Sequence, residues 1–480
     1  MHPRTIANAL GAVSAAAGTA MLVPALYAAL AAEGNAPVFA VPAVSAAAFG
    51  TLVFLLTRGP SPYVSIQDVF LIVVFGWIGV AILGSLPFVF SGAMGPVDAF
   101  FNSMAGFTTT GAATVSPEQL APSLLLWRSM TQWAGGIGIV VLFVAVAPLV
   151  GIGAAQLYTA EVATPVAERL TPRIQDTAKV LTYVYLALTV GIAGALLAAG
   201  MGLFDAVNHA LSTVATGGYS TRSESIAAFD SVAIEAVLVV GMVLSGTNFG
   251  LYFIATQGRW RKALGNRELL AFLGILAVAT VFMTGSLYAF DYRDSLSLAF
   301  REALFQSVSH MTGTGFSTAD WNAWDPLSKG LLMVLMAIGG CAGSTSGGMK
   351  VVRVLLLTRN ALQEAFRMVH PRAITPLRLG DRVVPERSRV SFLGFFFVYV
   401  ATLVIGTLLM ALHQVPLGSA FGSVFACLNI TGTAVGPVGE AEFFADLPGS
   451  AKVTLTFFML LGRLELFTVL VLLTPAFWRG

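Results

Sequence analysis

Four stretches of this sequence combine threonine with glycine, and each directly follows a short segment of moderately apolar, helix-forming residues. Glycine adopts positive φ without a steric penalty, so successive backbone carbonyls in such stretches can turn toward a common axis. A ring of backbone carbonyls can replace the water oxygens that an alkali cation loses when it is dehydrated. The stretches therefore predict a cation filter built from four loops. They are Thr108–Ala112, Ala215–Ser220, Thr312–Ser317 and Asn429–Ala434.

The candidate filter residues are the glycines of the four loops and the residues beside them. Two loops leave the register open, because either Gly217 or Gly218 and either Gly313 or Gly315 can supply the filter glycine. The short helices would direct their partially negative C-terminal ends at the ion, which favours a cation. The candidates are Thr109, Thr110, Gly111, Thr216, Gly217, Gly218, Gly313, Thr314, Gly315, Ile430, Thr431 and Gly432.

A single loop of this kind would more often be a helix C-cap or a turn than a filter. Here, however, the order of long apolar run, short helix, threonine-glycine loop and long apolar run occurs four times. A unit that recurs in this way indicates one architecture with repeated parts. The short helices are too short to cross a bilayer, and they cover Val97–Met104, Phe204–Val214, Leu298–Met311 and Leu417–Leu428.

The elements that carry these loops are predicted to be membrane helices. Of the 480 residues, 56% are hydrophobic and only 10% are charged, whereas about 25% are charged in soluble domains. The first apolar run is longer than the apolar core of a signal peptide, so we expect it to be retained. Ten runs are long enough to span a bilayer, namely 7–31, 37–57, 66–90, 124–149, 178–201, 231–256, 269–290, 328–357, 391–413 and 451–476.

The predicted fold is an all-α polytopic membrane protein with four span–pore-loop–span repeats around a pseudo-fourfold pore. The first two runs lack a short helix and a loop, so we expect them to form an additional N-terminal two-helix hairpin. The expected division is 1–60 for the hairpin and 61–155, 156–262, 263–375 and 376–480 for the four pore repeats.

One membrane run is interrupted by a glycine- and serine-rich segment from Gly339 to Lys350. Each glycine costs a helix about 1 kcal/mol relative to alanine, and irregular backbone within a membrane persists only where protein or a water-filled cavity satisfies it. We expect this segment to form a flexible constriction below the filter. The candidate gating residues are Gly339, Gly340, Gly343, Ser344, Thr345, Gly347, Gly348, Lys350 and Arg463.

Arg463 and Glu465 are two charges within the last apolar run. A charge at the centre of a membrane helix costs about 2.5–3.5 kcal/mol on insertion scales, which makes each a candidate functional residue. Because they are two residues apart, the side chains point to different helix faces and are not expected to pair. We expect Arg463 to face the pore as a barrier to cations and Glu465 to face a neighbouring helix. The alternative is that Arg463 and Glu465 only hold helices together. Lys350 also has two interpretations, a gate residue or the first positive charge of the inner face.

Arginine and lysine residues concentrate in loops 58–65, 150–177, 257–268 and 355–390, whereas acidic residues predominate on the side of the filter loops. By the positive-inside rule, both chain ends are expected to be cytoplasmic. The acidic side would concentrate cations at the outer mouth, although ordinary surface charge explains each acid equally well. No organic cofactor is expected, because the segment before Lys350 does not fit a phosphate-binding loop.

With these features the chain resembles the membrane subunits of Trk-type potassium transporters, in the Trk/Ktr/HKT superfamily. The resemblance covers nearly the whole length, and the N-terminal hairpin is similar to the Trk branch. The residues that carry it are Ala105–Ala112, Trp127–Arg128, Gln132–Gly138, Thr216–Thr221, Thr314–Asp320, Gly339–Lys350, Cys427–Gly432 and Gly462–Glu465.

This resemblance implies potassium uptake through a gated, channel-like pore in the bacterial cytoplasmic (inner) membrane, with the potassium ion as the transported species and no enzymatic activity. Gly111 in the first loop, where some relatives have serine, implies a preference for potassium over sodium. The broken helix corresponds to a gating loop, and Arg463 to a pore-facing arginine. The resemblance further implies a homodimer with one pore in each subunit, a cytosolic nucleotide-binding (RCK/KTN-type) regulatory ring, contact with membrane lipid and no nucleic-acid partner.

Two other classes of function are alternatives at this point. An ion-coupled secondary transporter of potassium or sodium, such as a symporter, would have inverted repeats and two broken helices, whereas the sequence indicates parallel repeats and one strong break. A membrane-embedded enzyme would need His, Cys, Asp or Glu side chains that converge within the spans. Only the neighbourhood of Arg463 and Glu465 offers anything of that kind.

Overall fold

The computed structural model describes residues 1–59, 65–150, 170–373, 376–379, 382–433 and 444–479, and this part of the chain is nearly all helical. The predicted fold class is confirmed. Two helices form the N-terminal hairpin, α1 (Pro3–Leu30) and α2 (Ala36–Thr57). Close helix packing is visible at Gly18, where an added Cβ would lie within 3.0 Å of the α2 backbone at Ala43 and Ala47.

Four repeats follow the hairpin, each with a long helix, a short helix and a second long helix. An antiparallel strand pair, β1 (Arg378–Leu379) and β2 (Arg382–Val383), joins the third and fourth repeats. The helices of the repeats, in chain order, are α3 (Ile66–Phe90), α4 (Pro96–Phe107), α5 (Pro122–Val150), α6 (Leu170–Ala198), α7 (Leu203–Ala215), α8 (Val232–Gly246), α9 (Phe249–Thr256), α10 (Trp260–Leu264), α11 (Arg267–Ala289), α12 (Leu296–Thr312), α13 (Pro326–Ile338), α14 (Val351–Val369), α15 (Glu386–Leu412), α16 (Leu417–Asn429), α17 (Gly449–Arg463), α18 (Phe467–Leu470) and α19 (Pro475–Arg479).

Six helices among the described residues are long and apolar enough to cross a membrane, and two bent helix pairs raise that number to eight. The expectation of a multi-pass membrane protein is therefore met. Large apolar side chains on the outer faces are exposed, for example Phe282 on α11 and Phe397 on α15. Exposed apolar side chains on long helices are suited to contact lipid.

The prediction of one strong helix break is wrong, because the second long helix is broken in three of the four repeats. The axes of α8 and α9 differ by 88°, and those of α17 and the segment Phe467–Leu473 differ by 112°. The third break is the interval between α13 and α14, which the sequence did predict. The sequence did not predict the other two breaks, because each is made by only one or two residues. Asn248 caps α9 with its side chain, and Glu465 and Leu466 adopt positive φ at the end of α17.

The four short helices, α4, α7, α12 and α16, are buried between the long ones. In α16 every residue from Ser419 to Asn429 is buried except Phe421. Helix starts are set by local sequence: Pro96 occupies the first turn of α4, and the Ser295 hydroxyl accepts a hydrogen bond from the Leu298 N–H in α12. Pro at the first turn and Ser at the N-cap are both favoured at helix starts.

Ion pairs connect neighbouring repeats. The guanidinium of Arg301 in α12 donates two hydrogen bonds to Glu235 in α8, at 2.6 and 2.7 Å. The Lys452 ammonium in α17 lies 2.6 Å from Asp98 in α4, which joins the fourth repeat to the first. These contacts hold the repeats in a closed arrangement.

Replacing Arg301 with methionine is expected to lower the melting temperature of the purified protein. The substitution would leave the Glu235 carboxylate, whose side chain is 8% exposed, without its bidentate partner. Loss of a hydrogen bond to a charged group costs about 1.5–3 kcal/mol. Arg367→Met is the matched control, because Arg367 pairs with the half-exposed Glu364 and exposed pairs contribute about 0–1 kcal/mol. Equal melting temperatures for the two variants would contradict this account of inter-repeat pairing.

Candidate cation filter and gate

The four threonine-glycine loops share one backbone conformation. In each loop two residues have positive φ, and one residue lies between them. This pattern resolves the open register, since the glycine at the second of the two positions is Gly218 in loop 2 and Gly315 in loop 3. The pairs are Thr109 (57°) and Gly111 (80°), Thr216 (52°) and Gly218 (80°), Gly313 (72°) and Gly315 (81°), and Ile430 (58°) and Gly432 (64°).

Each loop is attached to its own short helix by the same hydrogen bond. The N–H of the residue between the two positive-φ positions, here called the middle residue, donates to the carbonyl five residues earlier in the chain. The four bonds are Thr110 to Ala105 (2.8 Å), Gly217 to Ser212 (2.9 Å), Thr314 to Ser309 (2.9 Å) and Thr431 to Ala426 (3.1 Å).

The four loops meet each other in a closed ring. A Cβ added to any of the four filter glycines would come closer than 3.0 Å to the middle carbonyl oxygen of the next loop, a distance that real Cβ atoms hardly ever show. The order is cyclic and follows the chain, so loop 4 closes onto loop 1. The contacts join Gly111 to Gly217, Gly218 to Thr314, Gly315 to Thr431, and Gly432 to Thr110. The structure therefore brings all the predicted filter residues together around one axis.

Only glycine fits the four ring positions, for two independent reasons. Positive φ strains any residue that carries a Cβ, and the neighbouring carbonyl occupies the space that a Cβ would take. In each loop the carbonyl oxygen of the middle residue lies at the contact with the next loop. Four backbone oxygens therefore meet the ring glycines, and backbone oxygen is the ligand type suited to an alkali cation.

The four filter glycines line the floor of one outer cavity. The charged side chains on the described part of its wall are Arg128 and Arg222, and no acidic residue lies on that part. Two acids on the side of the filter loops serve other contacts: Asp98 pairs with Lys452, and Asp325 caps α13. The sequence alone could not show which carboxylates are used as caps and ion pairs.

Glu118 illustrates how such a carboxylate is used, in the short segment between α4 and α5. Its oxygens accept hydrogen bonds from the backbone N–H of Ser223 (2.7 Å) and from the Ser223 hydroxyl. Burial raises the pKa of Glu118, but the hydrogen bonds from Ser223 outweigh that effect and lower the pKa below its usual value. The carboxylate thus holds the segment that follows loop 2 against repeat 1.

Directly below the ring lies the segment from Gly339 to Lys350, here called the intramembrane loop. Gly347 lies against the start of loop 4, because a Cβ there would collide with the carbonyl of Asn429. The Lys350 ammonium donates to the Ser346 carbonyl, within the same segment. A cavity beneath the filter is lined by Gly347 and Lys350 together with Ile430 of loop 4.

Arg463 lines the same cavity and is only 3% exposed. Its guanidinium donates to the Thr345 carbonyl of the intramembrane loop and to the Gly135 carbonyl of α5, each at 2.8 Å. Glu465 accepts a hydrogen bond from Arg353 instead, so the prediction that Arg463 and Glu465 do not pair is confirmed. Arg463 is therefore a buried cation that contacts backbone carbonyls directly below the filter.

The broken helices satisfy one another's backbone groups. The Phe249 N–H, at the start of α9, donates to the Gly343 carbonyl at 3.1 Å, and the Cys341 N–H donates to the Gly246 carbonyl at 2.9 Å. The Thr345 hydroxyl donates to the Ser245 carbonyl at 3.2 Å. Irregular backbone at membrane depth is stable only with such partners.

Sequence reasoning missed two charged residues that hold the intramembrane loop. The Glu268 carboxylate at the start of α11 is buried and accepts from the backbone N–H of Ala342 within the loop (2.7 Å) and of Val352 just after it (3.3 Å). Arg353, at the start of α14, connects the loop to Glu465 and lies over the Phe395 ring, 4.2 Å from its centroid. The signal that the sequence offers for these two residues is that each is a charge at the end of an apolar run.

No group of three or more His, Cys, Asp or Glu side chains within the described ranges could hold a metal ion. Backbone and hydroxyl oxygens are the other protein ligands that an alkali cation accepts. The filter ring provides such oxygens in a closed, repeated arrangement.

Comparisons with known proteins agree with this geometry. A family profile described as TrkH, cation transport protein, matches residues 36–286 and 272–479. The chain is 40% identical over 484 residues to the "Trk system potassium uptake protein TrkH" of Salmonella typhimurium, with 100% of both chains covered. It is 32% identical over 483 residues to the "Trk system potassium uptake protein TrkG" of Escherichia coli, with 100% of this chain and 99% of that protein covered. The crystal structure of the potassium transporter TrkH from Vibrio parahaemolyticus superposes with a TM-score of 0.93 at 38% identity, again over 100% of both chains.

If the ring binds potassium, potassium chloride is expected to raise the melting temperature of the purified protein relative to choline chloride. A ligand at 100 times its Kd stabilises the folded state by about 2.7 kcal/mol. Gly218→Ala should abolish the shift, because φ at this position is +80° and the Thr314 carbonyl occupies the space of the new methyl group. Gly79→Ala in α3 is the control, since no atom lies within 4 Å of its added Cβ. A potassium-dependent shift that persists in Gly218→Ala would contradict ion binding at the ring.

Proposed function

The chain belongs to the TrkH family of cation transport proteins, and we propose that it takes up potassium across the cytoplasmic membrane through a gated, channel-like pore. The observation that carries this proposal is the closed ring of four loops, in which each filter glycine contacts the middle carbonyl of the next loop. The names of the relatives, which are potassium uptake proteins, support the choice of ion.

In this proposal the filter replaces the hydration shell of potassium. The middle carbonyls of the four loops lie at the level of the ring contacts and form one ligand plane. The left-handed residues before them supply a second plane below. Backbone oxygens held in this way replace the water oxygens that potassium loses on dehydration. They are already in place, so the protein needs little rearrangement to bind the ion. The ligand residues are those predicted from the sequence, with Gly111, Gly218, Gly315 and Gly432 as the ring glycines.

The intramembrane loop and Arg463 form the gate in this proposal. The loop narrows the path under the ring, and the Arg463 guanidinium places a fixed positive charge beside it. Within a low-dielectric cavity such a charge repels a cation more strongly than it would in water. Opening then requires the loop to move away from Arg463, Glu268 and the Arg353–Glu465 pair that hold it.

The proposal also includes the assembly that the sequence indicated. We propose a homodimer in the bacterial inner membrane with both termini cytoplasmic, each subunit with its own pore. A cytosolic nucleotide-binding ring of the RCK/KTN type would regulate it, and the phrase "Trk system" in the relatives' names supports a multi-component system. Exposed basic residues such as Arg259 and Arg261 offer contacts at the inner face. The repeat boundaries at 60/61, 155/156, 262/263 and 375/376 are part of this proposal. Residues 60, 61, 155, 156 and 375 lie outside the described residues.

The direct test of the proposed function is growth of a potassium-uptake-deficient bacterial host at low external potassium. The chain, expressed with its regulatory partner, is expected to restore growth and tracer rubidium uptake, because rubidium and potassium have similar radii. The Gly218→Ala variant serves as the negative control at equal membrane abundance. Absence of rescue by the unmodified chain, with the protein detected in the membrane, would contradict the proposal.

Removal of the gate charge is expected to raise cation flux. Arg463→Ala deletes the cation below the filter, whereas Arg463→Lys keeps a positive charge but loses one of the two carbonyl contacts. If the charge is the barrier, flux in liposomes should rise roughly tenfold in Arg463→Ala, the change expected for about 1.4 kcal/mol. It should stay near the wild-type value in Arg463→Lys. Unchanged flux in a correctly folded Arg463→Ala variant would assign the arginine a purely structural role.

A further inference from the structure

Two of the four filter loops are braced by a pair of threonine hydroxyls. In loop 1 the hydroxyls of Thr108 and Thr110 lie 2.8 Å apart, and in loop 3 those of Thr312 and Thr314 lie 2.7 Å apart. In each pair the second threonine is the middle residue, whose carbonyl contacts the neighbouring glycine of the ring. A hydrogen bond between these side chains fixes the orientation of the middle residue.

Loop 4 obtains part of its support from a long helix. Its middle residue is Thr431, and the residue two positions earlier is Asn429. The Asn429 side-chain oxygen accepts a hydrogen bond from the Tyr399 hydroxyl of α15 at 2.9 Å. A filter loop in this protein can therefore be held by a side chain from outside the loop.

Loop 2 has no hydroxyl at either of the two positions, because Ala215 and Gly217 stand there. A glutamine of α5, Gln132, fills the space instead and is fully buried. Its Nε2 donates to the Gly217 carbonyl at 2.6 Å. Its Oε1 accepts from the Ser212 hydroxyl at 2.7 Å and from the Tyr219 N–H at 3.2 Å. Gln132 thus forms hydrogen bonds with residues before, at and after the middle residue of loop 2.

Gly217 is a glycine for a different reason from the four ring glycines. Its φ lies outside the left-handed range, so its backbone conformation does not require glycine. A Cβ at Gly217 would instead collide with the amide of Gln132, closer than 3.0 Å to its Cδ, Oε1 and Nε2. The missing side chain makes room for Gln132.

We propose that Gln132 is a positioning residue for ion selectivity. Its amide replaces the threonine pair that loop 2 lacks and fixes the direction of the Gly217 carbonyl, one of the four middle oxygens. The inference rests on the proposed function and deepens it, because it names a residue outside the filter loops that sets the filter's discrimination. Without Gln132 the Gly217 carbonyl can turn, and a mobile oxygen can follow the smaller sodium ion inward. Discrimination between potassium and sodium then falls.

The test uses the full chain in liposomes, with potassium and sodium fluxes measured separately by ion-sensitive dyes. Gln132→Met keeps the length and volume of the side chain but removes all three hydrogen bonds. The potassium-to-sodium flux ratio is expected to fall roughly tenfold, the change that loss of one buried hydrogen bond produces. Gln67→Met is the matched control, because the Gln67 amide also donates to a backbone carbonyl, that of Phe477 at 2.9 Å, but lies at the start of α3, far from the filter loops in sequence.

A rescue experiment separates positioning from general stability. Gly217→Thr alone should abolish selective flux, since the new side chain meets Gln132. Gln132→Ala removes the side chain that the new threonine would meet. The double variant then has the middle-residue threonine of loops 1 and 3, while Ala215 still supplies no hydroxyl two residues earlier. It is therefore expected to regain part of the potassium selectivity relative to either single variant.

The outcomes separate the inference from the function on which it rests. Wild-type selectivity in a folded Gln132→Met variant would overturn the inference alone. If Gln132→Met does not fold, the double variant decides: recovery supports the inference, and a double variant no better than Gly217→Thr alone overturns it. A wild-type chain that conducts no potassium would overturn the proposed function and the inference with it.

Discussion

The structure depends on one constraint, that backbone N–H and C=O groups inside a membrane need partners. Each unsatisfied group costs several kcal/mol in hydrocarbon. The broken helices of repeats 2 and 3 meet this demand by pairing with each other, as in the Phe249–Gly343 and Cys341–Gly246 hydrogen bonds. In the four threonine-glycine loops the N–H groups of the middle residues are used by the short helices. The proposed filter and the proposed gate both follow from the same constraint.

The same constraint explains why charged residues surround the intramembrane loop. Four carbonyl or N–H groups of this segment have charged partners because no regular helix or strand is available to them. Arg463 binds the Thr345 carbonyl, and Glu268 binds one N–H group within the loop and one just after it. A segment held by a few strong contacts can break them together and form others. Such a segment suits a two-state gate better than a continuous helix does. The broken helices by themselves do not distinguish a channel from a coupled transporter; the parallel order of the four loops is what favours a channel.

Much of this arrangement could be predicted from the sequence. Apolar runs gave the spans, and the fourfold recurrence of threonine with glycine gave the filter, because both signals are repeated and local. The register of loops 2 and 3 could not be read, since Gly217, Gly218, Gly313 and Gly315 are chemically alike and differ only in φ and in their neighbours. The breaks after Gly246 and Arg463 and the roles of Glu268 and Gln132 depend on contacts between distant parts of the chain, for which a single sequence carries no signal.

We propose that the transported ion binds on one axis to the middle carbonyls of Thr110, Gly217, Thr314 and Thr431. Crystals grown with rubidium in place of potassium test it most directly, because the anomalous scattering of rubidium identifies its position without reference to the protein. We expect a rubidium peak on the axis of the ring, within coordination distance of the four carbonyl oxygens. Rubidium bound only away from this axis, or held by carboxylates of the outer face, would contradict it.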